Sequence, residues 1–241
     1  MATVIFTAGT KGGTGKTFGA GLLTAFLREE GYRPMLLDMD DESRSFNRFF
    51  PEAELIEIDK TSSHDVLVER TDEGADLIIA DLKAGTGRDT LKWWLYVPFD
   101  ELPNIKFICV ASITNNADSV SSFMNWAAEL KDKVSYVVLM NCKDGETFTA
   151  YNESKDAMYF RKTYKPLEIE IPRLEDEYMN ELDKYNITIA DVVATVGNPS
   201  AINGKPVGKW ITGIMKKARL RRFQNDVYDQ FDPILELIAG N

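Results

Sequence analysis

The chain has 241 residues, of which 44% are hydrophobic and 27% charged, and it carries a formal net charge of −10 at pH 7. This length suits one large α/β domain or two small ones, and the composition is that of a globular chain. The acidic balance argues against a protein coated in nucleic acid, and no apolar run approaches the ~20 residues that a membrane-crossing helix needs.

Short apolar runs alternate with helical segments along the first 175 residues. The first predicted strand is Ala2–Ala8, and the first helix is Lys16–Glu30, which stops at Gly31. Further strands are predicted at residues 33–40, 77–80, 106–112, 135–141 and 166–172, with a helix around 117–130. This alternation predicts an α/β fold, a doubly wound, mostly parallel sheet flanked by helices.

After Arg173 the pattern is helical to the end of the chain, apart from a Gly/Pro/Asn-rich break at residues 197–206. We therefore expect residues 1–241 to form a single domain, with a core at 1–175 and a helical C-terminal part at 176–241. In open α/β sheets ligands bind beyond the carboxyl ends of the strands. Each motif of the core described below falls at such an end.

The cysteines and the histidine bear on the cellular compartment and on the kinds of site to expect. Cys109 and Cys142 lie in or just after runs that predict buried strands, which favours a reduced, cytoplasmic protein. The first residues also lack the basic region and cleavage site of a signal peptide. The one histidine, His64, lies in a polar segment, so a histidine-based metal site or catalytic triad is not expected.

A glycine-rich segment, GTKGGTGKT at residues 9–17, follows the first strand and opens the first helix. Glycines there let the backbone N–H groups turn inward around an anion, and the helix adds its dipole. The lysine before the helix can reach phosphates, and the threonine hydroxyl suits Mg²⁺. This context predicts a phosphate-binding loop rather than a plain glycine turn. The predicted nucleotide-binding residues are Gly12, Gly13, Thr14, Gly15, Lys16, Thr17 and Phe18.

The loop departs from the usual G-x-x-x-x-G-K-[ST] pattern because Thr10 stands at its first glycine position. Residues 11–17, K-G-G-T-G-K-T, resemble the deviant phosphate loop of the ParA/MinD family of ATPases close to letter for letter. The resemblance implies a P-loop NTPase fold of the SIMIBI type, with ATP and Mg²⁺ as cofactors. It also implies that Lys11 reaches the partner's nucleotide across a dimer interface. A second cation there would offset charge that develops in phosphoryl transfer. Alternatively, Lys11 is solvated or contacts its own phosphate.

Acidic residues end the second predicted strand, where a carboxylate can hold a Mg²⁺-bound water or orient the attacking water. The resemblance assigns the attacking water to Asp40, in the loop called switch I, so that Lys11, Lys16 and Asp40 form the predicted catalytic set. Asp38 is expected nearer the metal shell. Asp41 and Glu42 follow where partition members often have Pro-Gln, which puts a straightforward plasmid-partition assignment in doubt.

The third predicted strand runs into Asp81, which the resemblance places at the Walker B position. A carboxylate there can orient the water shell of Mg²⁺, so the predicted metal set is Thr17, Asp38 and Asp81. Gly85 and Gly87 follow in the loop called switch II, which senses the γ-phosphate in the family. Only 40 residues separate Asp40 from Asp81, which is more compact than chromosomal partition and Min-type members. The layout resembles the small plasmid ATPases of the StbB and TraL kind.

Residues at the ends of the last two strands form a predicted base pocket. The Asn141 amide offers a donor and an acceptor to an adenine edge, and the family has an asparagine at this place. Pro172 and Arg173 are similar to the family's Ile-Pro-Arg loop beside the base. A turn residue is the alternative for Asn141, and a purely structural role is equally open for Arg173.

Residues 205–223 hold seven Lys/Arg and no acid, which leaves 21 basic against 38 acidic residues, or −17, elsewhere. Apolar residues between Trp210 and Phe223 fall at helical spacing, so one alternative is a docked helix with a solvated cationic end. A second is non-specific DNA binding, which family members do through basic surface residues. A third is attachment to an anionic membrane. DNA is favoured because a further segment follows this helix, whereas Min-type membrane helices are terminal. The predicted nucleic-acid residues are Lys209, Lys216, Lys217, Arg219, Arg221 and Arg222.

The resemblance implies a weak ATPase that dimerises with ATP and is released by hydrolysis. We expect it to position or segregate a cargo, either plasmid DNA or a conjugative transfer apparatus, with an unidentified activator protein. A membrane-associated cell-division switch is the alternative. An electron carrier like the nitrogenase iron protein is set aside, because Cys109 sits mid-strand and not in an accessible loop. The expected location is the cytoplasm, with association with the nucleoid as one form.

Overall fold

The computed structural model of the chain describes residues 1–84 and 87–240, and for residues 87–89 the backbone alone. Seven strands form one parallel sheet in the order β3-β2-β4-β1-β5-β6-β7. Their bounds are β1 Ala2–Ala8, β2 Met35–Met39, β3 Glu54–Leu55, β4 Leu77–Leu82, β5 Ile105–Ile113, β6 Ser135–Asn141 and β7 Leu167–Ile171. The predicted doubly wound parallel sheet is thus confirmed, with one added edge strand, β3.

Helices cover both faces of this sheet. One face carries α1 (Lys16–Glu29), α2 (Ser45–Phe49), α8 (Asp176–Tyr185), α9 (Ile189–Val193) and α10 (Ile214–Ala239). The other face carries α3 (Val66–Asp72), α4 (Gly87–Tyr96), α5 (Ala117–Leu130), α6 (Thr149–Glu153) and α7 (Lys155–Tyr164). The C-terminal helices therefore belong to the same layered structure as the core.

Strand β1 shows how the sequence builds two cores. Its side chains alternate between the two faces, so Ile5 packs with α1 while Val4 and Phe6 pack with α4 and α5. A strand buried on both faces needs apolar residues at nearly every position, which is why ATVIFTA lacks polar alternation. Burial on both sides fixes the strand that leads into the glycine loop.

The structure corrects the sequence-based description of the C-terminal part. A two-residue antiparallel hairpin, β8 (Ala201–Ile202) and β9 (Lys205–Pro206), lies within the predicted break. Its turn is Asn203-Gly204, and both residues have positive φ, of 49° and 74°. Helix α10 begins at Ile214 and not at Trp210, and it continues through Pro233 to Ala239, so the basic residues open one 26-residue helix.

Three residues singled out by composition are buried. Cys109 and Cys142 are free thiols, and burial raises the pKa of the Cys142 thiol to about 11. His64 is also buried, in contrast to its polar sequence neighbourhood, with its Nε2 atom 2.9 Å from the Thr90 hydroxyl. Among residues 1–84 and 87–240, no helix is long and apolar enough to cross a membrane.

Candidate functional site

The glycine loop connects β1 to α1 at the carboxyl edge of the sheet. Gly13 and Gly15 have φ of 72° and 96°, a region that other residues enter only with strain. A Cβ atom on Gly15 would also collide with the side-chain amide nitrogen of Asn141. This position therefore needs glycine for both its backbone angle and its closeness to β6.

Side chains from neighbouring elements hold the loop in place. The Thr14 carbonyl accepts hydrogen bonds from Ser112 Oγ at 2.8 Å and from Asn141 Nδ2 at 3.0 Å. On the other side, Ser122 Oγ accepts from the Thr10 amide at 2.8 Å and lies 2.7 Å from the Thr10 hydroxyl. The loop is thus bound to β5, β6 and α5, which hold it at the edge of the sheet.

Asp81 forms a buried cluster with two threonines. Thr7 Oγ1 donates to its Oδ1 at 2.9 Å and Thr17 Oγ1 donates to its Oδ2 at 2.6 Å. Burial raises the pKa of the Asp81 carboxyl to about 6, while the two hydroxyls and the Lys16 ammonium oppose that rise. A carboxylate joined to a hydroxyl at the start of the loop helix is a donor set that suits Mg²⁺. The predicted metal residues Thr17 and Asp81 therefore lie together.

Lys16 lies at the same edge and is only 8% exposed. Burial lowers the pKa of its ammonium, and the negative charges of Asp81 and Asp40 oppose that lowering. Its Nζ donates to the Lys11 carbonyl at 3.5 Å, a long hydrogen bond. A buried cation beside two carboxylates, at the start of a helix, can hold a polyanion such as a triphosphate.

Lys11 belongs to the same loop but faces outward. Its side chain is 47% exposed, and its Nζ lies 4.0 Å from Asp118 Oδ2 at the start of α5. An exposed pair at this distance is worth little, because water screens both charges. Lys11 is therefore able to leave this partner for another anion.

Asp38 supports the loop that carries Asp40. Its Oδ1 accepts from the Asp40 amide at 3.0 Å and its Oδ2 from the Asn47 amide at 2.8 Å. Burial raises the pKa of this carboxyl, and the two amides oppose the rise. The structure thus shows Asp38 holding both ends of switch I. Asp38 on β2 is the register partner of Asp81 on β4, and this closeness supports its predicted place near the metal.

The Asp40 carboxylate lies in this loop and accepts from Ser43, from the amide at 3.0 Å and from the hydroxyl at 2.7 Å. The next two residues reach the end of β4, where Lys83 Nζ lies 2.9 Å from Asp41 Oδ1 and 2.9 Å from Glu42 Oε1. Switch I is thus bound to the segment after Asp81 through residues that depart from the family pattern. Of the predicted switch II glycines, Gly87 begins α4, and Gly85 lies outside the described residues.

The predicted base-pocket residues lie at the carboxyl ends of β6 and β7. Asn141 is buried, and its amide is already engaged, since Oδ1 accepts from the Lys143 amide and Nδ2 donates to the loop. Arg173 is exposed, with its guanidinium 3.9 Å from Asp176. Pro172 is half-buried beside it. Asn141 therefore positions the phosphate loop, and its predicted contact with adenine stays a prediction.

The predicted nucleic-acid set needs one correction. Lys217 is 9% exposed, and its Nζ donates to the Thr195 carbonyl, the Thr195 hydroxyl and the Gly197 carbonyl. This lysine fixes the loop before the hairpin and is not available to a nucleic acid. The sequence pattern missed this because the acceptors come from a segment 20 residues away.

The other basic residues stay closer to solvent. Lys216 lies over two rings, with Nζ 3.9 Å from the Trp210 centroid and 5.1 Å from that of Tyr178. Arg219 is 3.9 Å from Glu175, and Arg222 is 3.8 Å from Asp226. The exposed members of the set are Lys209, Arg219, Arg221 and Arg222.

Three residues of the site were not predicted from the sequence. Thr7 binds Asp81, Ser112 binds the phosphate loop, and Lys83 binds switch I. Thr7 and Ser112 are polar residues near the carboxyl ends of two mostly apolar strands, which is the signal that could have found them. Lys83 offered no such signal, since lysines are common after strands.

Comparison with known proteins identifies a matching family and similar structures for this chain. The family described as the CobQ/CobB/MinD/ParA nucleotide binding domain matches residues 5–235. The septum site-determining protein MinD of Pyrococcus horikoshii, complexed with Mg-ADP, has a TM-score of 0.57 and 14% identity, covering 99% of both chains. A Borrelia burgdorferi protein described as a plasmid partition protein, bound to AMPPNP, has a TM-score of 0.52 and 14% identity over 96% of this chain and 98% of that one.

The MinC:MinD cell division complex of Aquifex aeolicus is a third similar structure. It has a TM-score of 0.53 and 18% identity, over 80% of this chain and 89% of that one. No curated protein matches the chain by sequence. The structural matches confirm the predicted P-loop NTPase fold, and the prediction of ATP and Mg²⁺ agrees with the ligands in two of these structures.

Proposed function

Because the chain belongs to the CobQ/CobB/MinD/ParA family of nucleotide-binding domains, we propose that it is a Mg²⁺-dependent ATPase that works as a dimerising switch. One observation carries this proposal. The buried Lys16, the Thr17–Asp81 pair and Asp40 meet at one edge of the sheet, around a loop that hydrogen bonds hold to β5, β6 and α5. That arrangement provides for phosphate binding, metal binding and water orientation together.

Each residue then has a separate task. The loop amides and Lys16 hold the phosphates. Thr17 and Asp81 would hold Mg²⁺, which would neutralise part of the negative charge of the phosphates. Asp40 orients the attacking water. Its oxygens accept hydrogen bonds from Ser43, and a carboxylate has further lone pairs for a water.

Dimerisation rests on Lys11. A lysine that is half exposed and weakly paired can cross an interface and contact a triphosphate in the facing protomer. The cation then stabilises the charge on the transferring phosphoryl group, as an arginine finger does. ATP binding and dimer formation thereby become one event, and hydrolysis separates the protomers.

Light scattering after size-exclusion chromatography tests this switch in ADP and in ATP. We expect Asp40→Ala to form a dimer in ATP only, because the nucleotide binds but is not hydrolysed. The double variant Lys11→Ala/Asp40→Ala should remain a monomer in both. A species of unchanged mass in every condition would remove the dimerisation mechanism and leave a nucleotide-binding fold.

The proposed task of the switch is to position or segregate a cargo, namely plasmid DNA or a conjugative transfer apparatus, in the manner of compact ATPases of the StbB and TraL kind. Support comes from the short Asp40–Asp81 spacing and from the Borrelia plasmid partition protein, which is similar over nearly the whole chain. The exposed basic residues at the start of α10 favour non-specific DNA as the surface on which the dimer is held. The protein would then act in the cytoplasm, on the nucleoid, with an activator protein of unknown identity.

A membrane-associated localisation switch is the second candidate, favoured by the similarity to MinD. Co-sedimentation of the ATP-bound Asp40→Ala protein with DNA or with anionic liposomes separates the two. We expect DNA binding that weakens steeply with salt and that Lys209→Ala/Arg219→Ala/Arg222→Ala abolishes. Binding to liposomes alone would establish the membrane candidate instead.

A further inference from the structure

A cavity that is partly open to solvent lies between the phosphate-loop helix and the C-terminal helices. Its volume is about 360 Å³, within the range of small-molecule sites. Side chains of α1, α2, α8 and α9 line it, with Tyr228 of α10, and most of the lining is apolar. Its main apolar members are Phe18, Leu22, Phe49, Phe50, Leu182 and Ile189.

The charges around this cavity are already paired. Arg48 of α2 and Asp183 of α8 both line it, and they bind each other at 3.0 Å. The Thr188 hydroxyl accepts from the Asp191 amide at 3.0 Å, and the Ser45 hydroxyl donates to Ser43 Oγ at 3.1 Å. A charged guest would have to compete with these pairs and would lose part of its hydration against the apolar lining, which is costly. The exposed Asn180 side-chain amide can donate or accept a hydrogen bond at the rim.

Two walls of the cavity are attached to the nucleotide site. Thr17 lines the cavity on α1, and its hydroxyl binds Asp81. On the other wall, α2 directly follows switch I, and the Asn47 amide of this helix binds Asp38. A molecule that fills the space between α1 and α2 therefore fixes the distance between the phosphate loop and switch I.

We propose that this cavity binds a small, uncharged, largely apolar molecule, and that its occupant is coupled to nucleotide binding through α2. Binding of this molecule does not depend on the proposed ATPase function, whereas the coupling to nucleotide rests on that function. Coupling of this kind is reciprocal, so the nucleotide must change the affinity for the cavity ligand by the same factor.

Fluorescence titration with N-phenyl-1-naphthylamine, an uncharged apolar fluorophore, tests the site on the nucleotide-free protein. We expect saturable binding of one molecule per chain. Ala25→Phe on α1 and Ala190→Phe on α9 fill the cavity from opposite walls and should each weaken binding at least tenfold. Ala128→Phe, on the exposed side of α5 across the sheet, is the matched control and should bind like the wild type.

Thermal melting followed by circular dichroism shows which variants fold, and either folded cavity variant suffices for a decision. Absence of saturable binding in the wild type, or full binding in a folded cavity variant, would overturn the site. A second titration with Mg-ADP present measures the coupling, with an expected change in Kd of at least threefold. An unchanged Kd in protein shown separately to bind Mg-ADP would overturn the coupling but leave the site. Failure to bind Mg-ADP would instead count against the ATPase function.

Discussion

The phosphate loop and the start of α10 are both rich in cations, yet they hold their charges in different ways. Lys16 is 8% exposed, and burial lowers the pKa of its ammonium while Asp81 and Asp40 oppose that lowering. Arg222 has a side chain that is 85% exposed and a partner 3.8 Å away. A buried charge must have specific neighbours, because the loss of hydration has to be offset. An exposed charge acts mainly through the number of its like neighbours. Anion binding at the phosphate loop should therefore depend on individual residues, and anion binding at the start of α10 on the total positive charge.

Removal of single lysines from the phosphate loop is the strongest test of this contrast. We expect Lys16→Ala to weaken ADP binding more than 100-fold, since the phosphates lose a partly dehydrated cation. Lys11→Ala is the matched control in the same loop, and the monomer should bind ADP with nearly wild-type affinity. Equilibrium titration with a fluorescent ADP measures both. Equal losses in the two variants would mean that both lysines serve the same nucleotide.

The buried carboxylate gives the next largest effect, on stability. With a pKa of about 6 in the folded state against 3.8 otherwise, Asp81 holds its proton in the folded chain at pH values where the unfolded chain has lost it. Its contribution to the free energy of unfolding therefore falls as pH rises from about 4 to 6 and is constant above, by at most about 3 kcal/mol at about 1.4 kcal/mol per pKa unit.

Denaturant unfolding of the nucleotide-free protein at pH 4, 5, 6 and 7 measures this component. We expect the stability of Asp81→Asn relative to the wild type to increase between pH 4 and 6 and then to level off. Asp72→Asn, at an exposed position of α3, controls for the loss of one negative charge. A difference that is independent of pH would show that Asp81 is ionised throughout.

Lys217 of α10 resembles Lys16 of the phosphate loop, because it is buried and has specific neighbours. Lys217→Met should lower the free energy of unfolding by about 2 kcal/mol, because three oxygen acceptors lose their donor in a buried place. Arg222→Met, on the exposed side of the same helix, should leave the unfolding midpoint unchanged. DNA binding should respond in the opposite way, with Arg222→Met the weaker binder. Equal stability of the two proteins would contradict the clamping role of Lys217.

The sequence predicted those features that depend on local pattern. Strand β1 and helix α5 have the predicted bounds. The apolar side chains of β1 point alternately into the two cores, and α5 begins after the Asn116 cap with a periodic run of apolar residues. The hairpin at 201–206 was missed although its Asn-Gly turn was visible. The buried role of Lys217 and the Lys83 contacts could not be foreseen, since each depends on segments brought together only by folding. The two amides on Asp38 are close in the chain, but their approach depends on the conformation of the loop between them.

The position of Asp38 has a consequence for the chain entropy of switch I. Because this carboxylate binds the amides of Asp40 and Asn47, the segment between them is a short closed loop on a fixed base. Ordering a residue costs about 1–2 kcal/mol of backbone entropy, and here only residues 41–46 can contribute. Arg44, at φ 49°, already occupies a conformation that arginine rarely adopts, so this loop also stores strain at its centre. A rearrangement on nucleotide exchange can thus be small in extent and still large in energy.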